Sequence, residues 1–225
     1  MTLALSNNSR TVLEKRYLLK DKDDNFIETP DQLFHRVAKA IAEPEEDKEF
    51  YEQAFYDMMA RLDFLPNSPT LFNAGTGQGT LSACFVLVVD DSMDAIMEVA
   101  RKSAMLQKWG GGVGYGLSRL RPKGAPVKTT QKHAGGPVAF MKLYHGVATA
   151  VTQGGKRDGA QMAVLSCDHR DIREFIHSKD KEPQALSTFN ISVAATNHFM
   201  ANAVENVAYD SMILREMAES AWKTG

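Results

Sequence analysis

From residue 80 onward, apolar runs of strand length alternate with helix-length stretches, and this constrains the fold more than any single motif. Strands are predicted at 81–89, 114–119, 160–166 and 188–195. Helices are predicted at 92–108, 136–152, 169–178, 196–205 and 207–223, with Pro137 near a helix start as expected. The alternation implies an α/β architecture with at least partly parallel strands. No internal repeat interrupts it. The last predicted helix ends at Gly225, a typical stop signal, with nothing after it to close the sheet. The α/β region therefore reads as incomplete at its C-terminus.

The first part of the chain reads differently. Residues 1–28 look like a loose leader with one strand-like run, Arg16-Tyr-Leu-Leu-Lys20. Thr29-Pro-Asp-Gln32 is a helix start: Thr29 caps, Pro30 suits the first helical position and Gln32 closes a capping box. Leu33, Phe34, Val37 and Ile41 then share a face. A second helix is predicted over about 45–63, with Phe50, Phe55, Met58, Met59 and Leu62 inward. The expected division is a small helical domain with an adjoining loop, 1–75, and an α/β domain, 76–225.

Composition excludes several classes. The 225 residues carry 44% hydrophobic residues, enough for one substantial core or two smaller ones. A net charge of −2 gives no basic excess for a nucleic-acid polymer, though single nucleotides need only local donors. Two cysteines, Cys84 and Cys167, are too few for a disulfide framework. Neither a signal peptide nor a membrane span is visible, so the cytoplasm is the expected location. His169 and His177 lie eight apart without a cysteine between them in a ligating pattern, and no metal site is expected.

The segment with the most chemistry is Leu65-Pro-Asn-Ser-Pro-Thr-Leu-Phe-Asn-Ala-Gly75, followed by Leu81-Ser-Ala-Cys-Phe-Val-Leu-Val-Val89. It sets a proline-stiffened polar loop ahead of an apolar strand, with Cys84 near the strand's start. Such a loop can cradle a small polar ligand, and the thiol can meet it with little positional freedom. Taken alone, Cys84 reads more readily as a small buried hydrophobe than as a reagent, as does Cys167.

Gly110-Gly-Gly-Val-Gly-Tyr-Gly116 is not a dinucleotide fingerprint. No register gives G-x-G-x-x-G, and the order is helix, glycines, strand. Gly154-Gly-Lys-Arg-Asp-Gly159 is not a P-loop, since Arg157 stands where Ser or Thr is required. Both are still glycine-rich loops beside cations, which suits anion contact or simply a flexible turn. Asp90-Asp91-Ser92 reads as a helix N-cap.

Taken together, these segments resemble the large-subunit family of ribonucleotide reductases, most of all its adenosylcobalamin-dependent class II branch. The resemblance is carried in family order by Arg16–Lys20, Glu28-Thr-Pro30, Leu65–Thr70, Ser82-Ala-Cys-Phe85, Asp91-Ser92, Gly110–Gly116, Leu120-Arg-Pro-Lys-Gly124, Gln153–Gly159 and Phe189-Asn-Ile-Ser192. It implies an N-terminal helical domain followed by the first half of a ten-stranded α/β barrel.

It implies roles as well. Ser68, Ala83, Cys84 and Gly112 would face the substrate ribonucleotide, with Cys84 one member of the redox thiol pair. Asp91, Ser92 and Arg121 would hold a deoxynucleotide effector. Gln153, Gly154, Gly155, Lys156, Arg157, Asp158, Gly159 and Gln161 would belong to the loop that relays effector identity to the substrate. The helix at 92–108 would pair with its mate in a homodimer, Ile96, Val99, Ala100 and Met105 on one face and Ser103 and Ala104 allowing close approach. Adenosylcobalamin would supply the radical.

Two features depart from the family pattern. Nothing resembles the ATP-binding activity cone. Asn-x-Cys-x-Glu, which carries the thiyl cysteine, occurs nowhere, and Cys167 does not match the second redox thiol. The chain thus reads as the N-terminal part of such an enzyme, inactive alone: a natural split half beside a separate C-terminal half, a truncation or a cut piece. A class I large-subunit fragment and a non-catalytic nucleotide-binding module are the alternative readings.

Overall fold

The computed structural model describes all residues except 1–2, 128–130, 153–158, 181–182 and 225. The chain divides into two compact units, one of Met1–Ala83 with Trp109–Gly111, the other of Cys84–Lys108 with Gly112–Gly225.

The first unit is helical. It contains α1 (Asn7–Arg16), α2 (Pro30–Ala42), α3 (Lys48–Ala60) and α4 (Ser68–Asn73). The expected capping box starts α2: the Gln32 amide donates to Thr29 Oγ1 at 3.3 Å, and the Thr29 amide donates to Gln32 Oε1 at 2.8 Å. Leu33, Phe34, Val37 and Ala38 from α2 form the core with Tyr56 and Met59 from α3 and Leu71 from α4.

Three expectations need correction here. The supposed leader contains a helix, α1, capped by Ser6, whose Oγ accepts from the Ser9 amide. Of its strand-like run only Lys20 pairs, in an isolated bridge to Phe26. Phe50 and Leu62 do not point inward; they are 63% and 49% exposed. Both lie at the ends of α3, Phe50 in its first turn and Leu62 past its cap at a positive φ of 62°.

The second unit is a parallel α/β layer. Its elements run β1 (Cys84–Val88), α5 (Met93–Lys108), β2 (Gly112–Gly116), β3 (Pro126–Val127), β4 (Lys132–His133), α6 (Pro137–Thr152), β5 (Gln161–Ser166), α7 (Ile172–Ile176), β6 (Phe189–Ala194), α8 (Asn197–Val204) and α9 (Ala208–Thr224). Single turns of 3₁₀ helix follow α7 and precede β6. The main sheet has the order β1-β2-β5-β6, parallel throughout; β3 and β4 make a separate small antiparallel ribbon that the sequence pattern did not announce. The expected α/β region after a helical domain is thus borne out. Among the described residues the sheet is open.

Strand alternation sorts the sheet into two faces. Val113, Tyr115, Ala163, Leu165 and Phe189 are buried with Ile96, Val99, Met141 and Tyr144 of the covering helices. The opposite face carries Cys84, Val86 and Val88, the three glycines of β2, and Met162, Asn190 and Ser192. Val86 on this face is 79% exposed.

Candidate functional site

The Pro-Asn-Ser-Pro segment is a short helix start rather than an irregular loop. Asn67 caps α4, its Oδ1 accepting from the Thr70 amide at 3.0 Å and from Thr70 Oγ1 at 3.1 Å. Pro69 lies within the first helical turn, where a missing N–H costs nothing. Ser68 Oγ is 2.9 Å from Tyr17 Oη, and the Tyr17 ring stacks on Phe72 with centroids 4.7 Å apart.

Side chains fix the backbone that follows. The Arg36 guanidinium donates to the carbonyls of Ala74 and Leu71 and to both oxygens of Glu28. That ion pair is nearly buried, the Glu28 side chain being 7% exposed. Thr70 Oγ1 donates to the Leu81 carbonyl at 2.8 Å, and Asn73 Nδ2 to those of Thr80 and Trp109. Gly79 has φ +82°, and a Cβ there would run into the Asn73 amide, so this turn needs glycine. Tyr17 and Arg36 were not foreseen as partners of the segment, and Asn73, though within it, had no role assigned. Their signal is tertiary: each bonds to a residue 35 or more positions away or to a distant carbonyl.

In the second unit, Cys84 starts β1 and its Cα is in register with Gly112 of β2. Cys84 is exposed and Cys167 is buried, so the two thiols differ in kind. Cys84 is followed on the same face by Val86 beside Gly114 and Val88 beside Gly116. Asn190 and Ser192 on β6 share that face through Met162 and Val164, two polar groups that the motif reading named without a role. Period-two alternation within 189–194 was the available signal. Ser68 and Ala83 belong to the first unit; Cys84 and Gly112 belong to the second.

The structure brings Asp91 and Arg121 together. Asp91 Oδ2 accepts from Arg121 Nε at 2.8 Å and Oδ1 from the Arg121 amide at 3.2 Å, while Arg121 Nη1 donates to the Pro126 carbonyl. The pair is about one-third exposed. Ser92 is the residue before α5, and its Oγ accepts from the Ala95 amide, as the N-cap reading expects. Behind this loop, Asp171 accepts from the Lys123 amide at 2.7 Å, and His169 Nε2 lies 2.8 Å from the Leu120 carbonyl. His169 Nδ1 accepts from the Asp171 amide, so Nε2 carries the proton given to Leu120. His177 is held between Asp180 and Glu216.

The helix expected to pair across a dimer presents a different face from the one named. Ile96, Val99, Ala100 and Ser103 are buried in their own unit, and Met105 is 50% exposed on another side. The apolar residues that α5 leaves open are Met93, Met97 and Met105. The cause is the sheet: a covering helix turns its smallest and most apolar stripe toward the strands.

Gln153, Gly154, Gly155, Lys156, Arg157 and Asp158 lie outside the described residues. Gly159 is buried, and Gln161 is the first residue of β5 with 2% exposure, fixed inside the unit rather than on a loop.

The architecture is a helical unit bearing a side-chain-braced polar turn and a parallel α/β unit with one exposed thiol on a glycine-lined face. The family comparisons agree. Residues 3–79 match the ribonucleotide reductase all-alpha domain, and residues 82–220 match the ribonucleotide reductase barrel domain. The chain belongs to the ribonucleotide reductase family. It is 40% identical to a vitamin B12-dependent ribonucleoside-diphosphate reductase of Thermoplasma acidophilum, over 94% of this chain and 35% of that protein. It is 43% identical to one of Mycobacterium tuberculosis, over 90% of this chain and 30% of that protein. A ribonucleoside-diphosphate reductase subunit alpha of Chlamydia muridarum is 37% identical over 73% of this chain and 16% of that protein. The chain spans about a third of the length of the first two relatives. No helix among the described residues is long and apolar enough to cross a membrane.

Proposed function

We propose that this chain is the N-terminal portion of an adenosylcobalamin-dependent ribonucleotide reductase acting in the cytoplasm, divided functionally at about residue 75. The observation that carries this reading is Cys84: an exposed thiol beside Gly112 on the open face of a parallel sheet. In the proposed reaction Cys84 is one of two thiols that become a disulfide, giving two electrons and two protons as the ribose 2′-hydroxyl leaves as water. Ser68, the Ala83 backbone and Gly112 position the ribonucleotide. Glycine at 112 leaves no side chain between the thiol's neighbour strand and the sugar.

Asp91, Ser92 and Arg121 take a deoxynucleotide effector. Asp91 accepts from the sugar hydroxyl, and the guanidinium of Arg121 turns to phosphate through a charge-assisted bond. The segment 153–161 carries effector identity to the substrate base, and homodimerisation uses α5 through its exposed methionines. Cobalamin supplies the radical when bound. Two cavities of about 390 and 440 Å³ are lined by α9, one of them with β6, and neither includes Cys84.

The chain alone is inactive in this reading, because radical abstraction of the 3′ hydrogen needs a thiol that no matching residue supplies. The test is reconstitution. Purified chain with CDP, adenosylcobalamin and a dithiol should make no dCDP. Adding a polypeptide that carries the Asn-x-Cys-x-Glu loop should restore turnover, and Cys84→Ser should abolish dithiol-dependent multiple turnover. Unchanged turnover by Cys84→Ser would refute the assignment.

A further inference from the structure

The loop that carries Arg121 is gripped from behind by the turn that follows β5. His169 Nε2 donates to the Leu120 carbonyl at 2.8 Å, and the Lys123 amide donates to Asp171 Oδ2 at 2.7 Å. The two grips bracket Arg121 and Pro122. They are joined to each other, since His169 Nδ1 accepts from the Asp171 amide at 3.0 Å. The turn is tied back to β5 and α7: the His169 amide donates to the Ser166 carbonyl and the Ile172 amide to the His169 carbonyl, both at 3.0 Å. A third side chain locks the same two segments, Ser118 Oγ accepting from the Ser166 amide at 2.9 Å.

Leu120 anchors the near end of the loop in the core, at 3% exposure. Gly136 closes in on the far end. It has φ +77°, and a Cβ there would lie 2.6 Å from Asp171 Oδ2 and 3.0 Å from the Lys123 backbone nitrogen. Those are the two atoms of the second grip, so a side chain at 136 would wedge it open.

The front of the loop is held differently. Arg121 meets Asp91 through a pair about one-third exposed, Nε to Oδ2 and backbone amide to Oδ1. A pair so open to water contributes little by itself and exchanges with other charged partners. In the effector reading the guanidinium leaves Asp91 for a phosphate while Asp91 turns to a hydroxyl, so both front bonds open together. The rear grips act on backbone atoms of Leu120 and Lys123, which the exchange does not involve, and they persist through it. A guanidinium aimed by a fixed backbone loses less freedom on binding than one carried by a loose loop.

We propose that His169 and Asp171 are positioning residues for Arg121, holding its backbone in place while its guanidinium passes from Asp91 to the phosphate of a bound nucleotide. The part that concerns the nucleotide rests on the effector reading given above; the clamp does not.

The clamp is tested without ligand, by hydrogen exchange at the Lys123 amide of the 225-residue chain. Exchange should be slow in wild type and in Asp171→Asn, whose side-chain carbonyl still accepts, and at least about tenfold faster in Asp171→Ala. Equal rates in wild type and Asp171→Ala would overturn the clamp. The positioning role is tested by calorimetric titration with dTTP. Asp171→Ala and His169→Phe should each weaken dTTP binding by about threefold to tenfold, the scale of one lost hydrogen bond. Asp171→Asn and His169→Gln keep an acceptor and a donor at the same places and should bind within about twofold of wild type. In an Arg121→Ala background none of these changes should weaken binding further. A role in stability alone would lower the urea midpoints of Asp171→Ala and His169→Phe and leave the affinity of the folded chain unmoved; that result would overturn the proposal. Each grip has its own variant, so one that fails to fold leaves the other to decide. A wild type that does not bind dTTP, or whose affinity Arg121→Ala leaves unchanged, would overturn the effector reading and the nucleotide part with it, and exchange at Lys123 would still decide the clamp.

Discussion

The two units hold their candidate site residues by opposite means. In the first, the turn around Ser68 is shaped by side chains that reach out to backbone carbonyls: Arg36 to Leu71 and Ala74, Thr70 to Leu81, Asn73 to Thr80. In the second, Cys84 and Gly112 sit on strands held by the parallel ladder, which fixes them through backbone rather than side chains. A site built the first way fails when one bracing residue is removed. A site built the second way can change its surface while its frame stays.

The largest effect that would break this contrast is at Arg36. Arg36→Met strands Glu28 as a nearly buried unpaired carboxylate and frees two carbonyls. We expect a loss of about 3–5 kcal/mol in the first unit. Trp109 fluorescence follows that unit, because Trp222 in the other is already 91% exposed. A loss below about 1 kcal/mol, the scale of an exposed pair, would remove the contrast.

The thiols test the second unit's surface. Cys84 should react with a disulfide reagent at least about a hundredfold faster than Cys167, whose access requires local opening. Mass spectrometry of the labelled peptides gives both rates, and comparable rates would close the supposed open face.

A smaller effect concerns Gln107 on α5, whose buried amide has no hydrogen-bond partner among the described residues. Gln107→Leu keeps volume and removes an unpaired buried amide. It should stabilise the second unit by about 1–2 kcal/mol in urea unfolding. Destabilisation would mean the amide has a partner in solution.

The smallest expected effects are on pH dependence, and they run in opposite directions. Tyr56 donates to Asp31 at 2.6 Å, which, together with burial, pushes its phenol up to about 12. The unfolded phenol ionises near 10, so this contribution is whole below pH 10 and is lost as pH rises toward 12. Tyr56→Phe should flatten that alkaline limb in the first unit. In the second, the Arg173 guanidinium and His177 hold Glu216 below the usual carboxylate range; Ser220 and His177 do the same for Asp180. Those contributions are whole above the unfolded carboxylate values and are lost as pH falls. Glu216→Gln should flatten the acid limb. Circular dichroism across both limits measures each slope.

Much of this organisation was legible in sequence where a periodic signal exists. The strand at 161–166 and the helices at 93–108 and 137–152 follow their apolar spacing closely. The capping box at Thr29 is a local pattern with a local cause. α1 was missed because Asn7–Arg16 buries no residue and so shows no apolar stripe. α4 was hidden by Pro66 before it and Pro69 within it, since proline suits a first helical turn as well as a loop. β3 and β4, two residues each, are too short to alternate. At the site, Cys84 stood out through its neighbours, but its exposure did not follow from them. The grips of His169 and Asp171 on the Arg121 loop had no sequence signal, since they join residues 49 and 48 positions apart through single side chains.

The glycines of β2 give the open face a further property. A methyl group at Gly114 would sit 3.8 Å from the Phe85 carbonyl, and at Gly116 3.8 Å from Val88, both ordinary contacts. Neither position has the left-handed backbone that excludes other residues. The fold itself therefore has no objection to alanine there. These two positions therefore act as a gauge of occupancy: if a ligand lies against this face, alanine there would weaken its binding while the sheet stays intact.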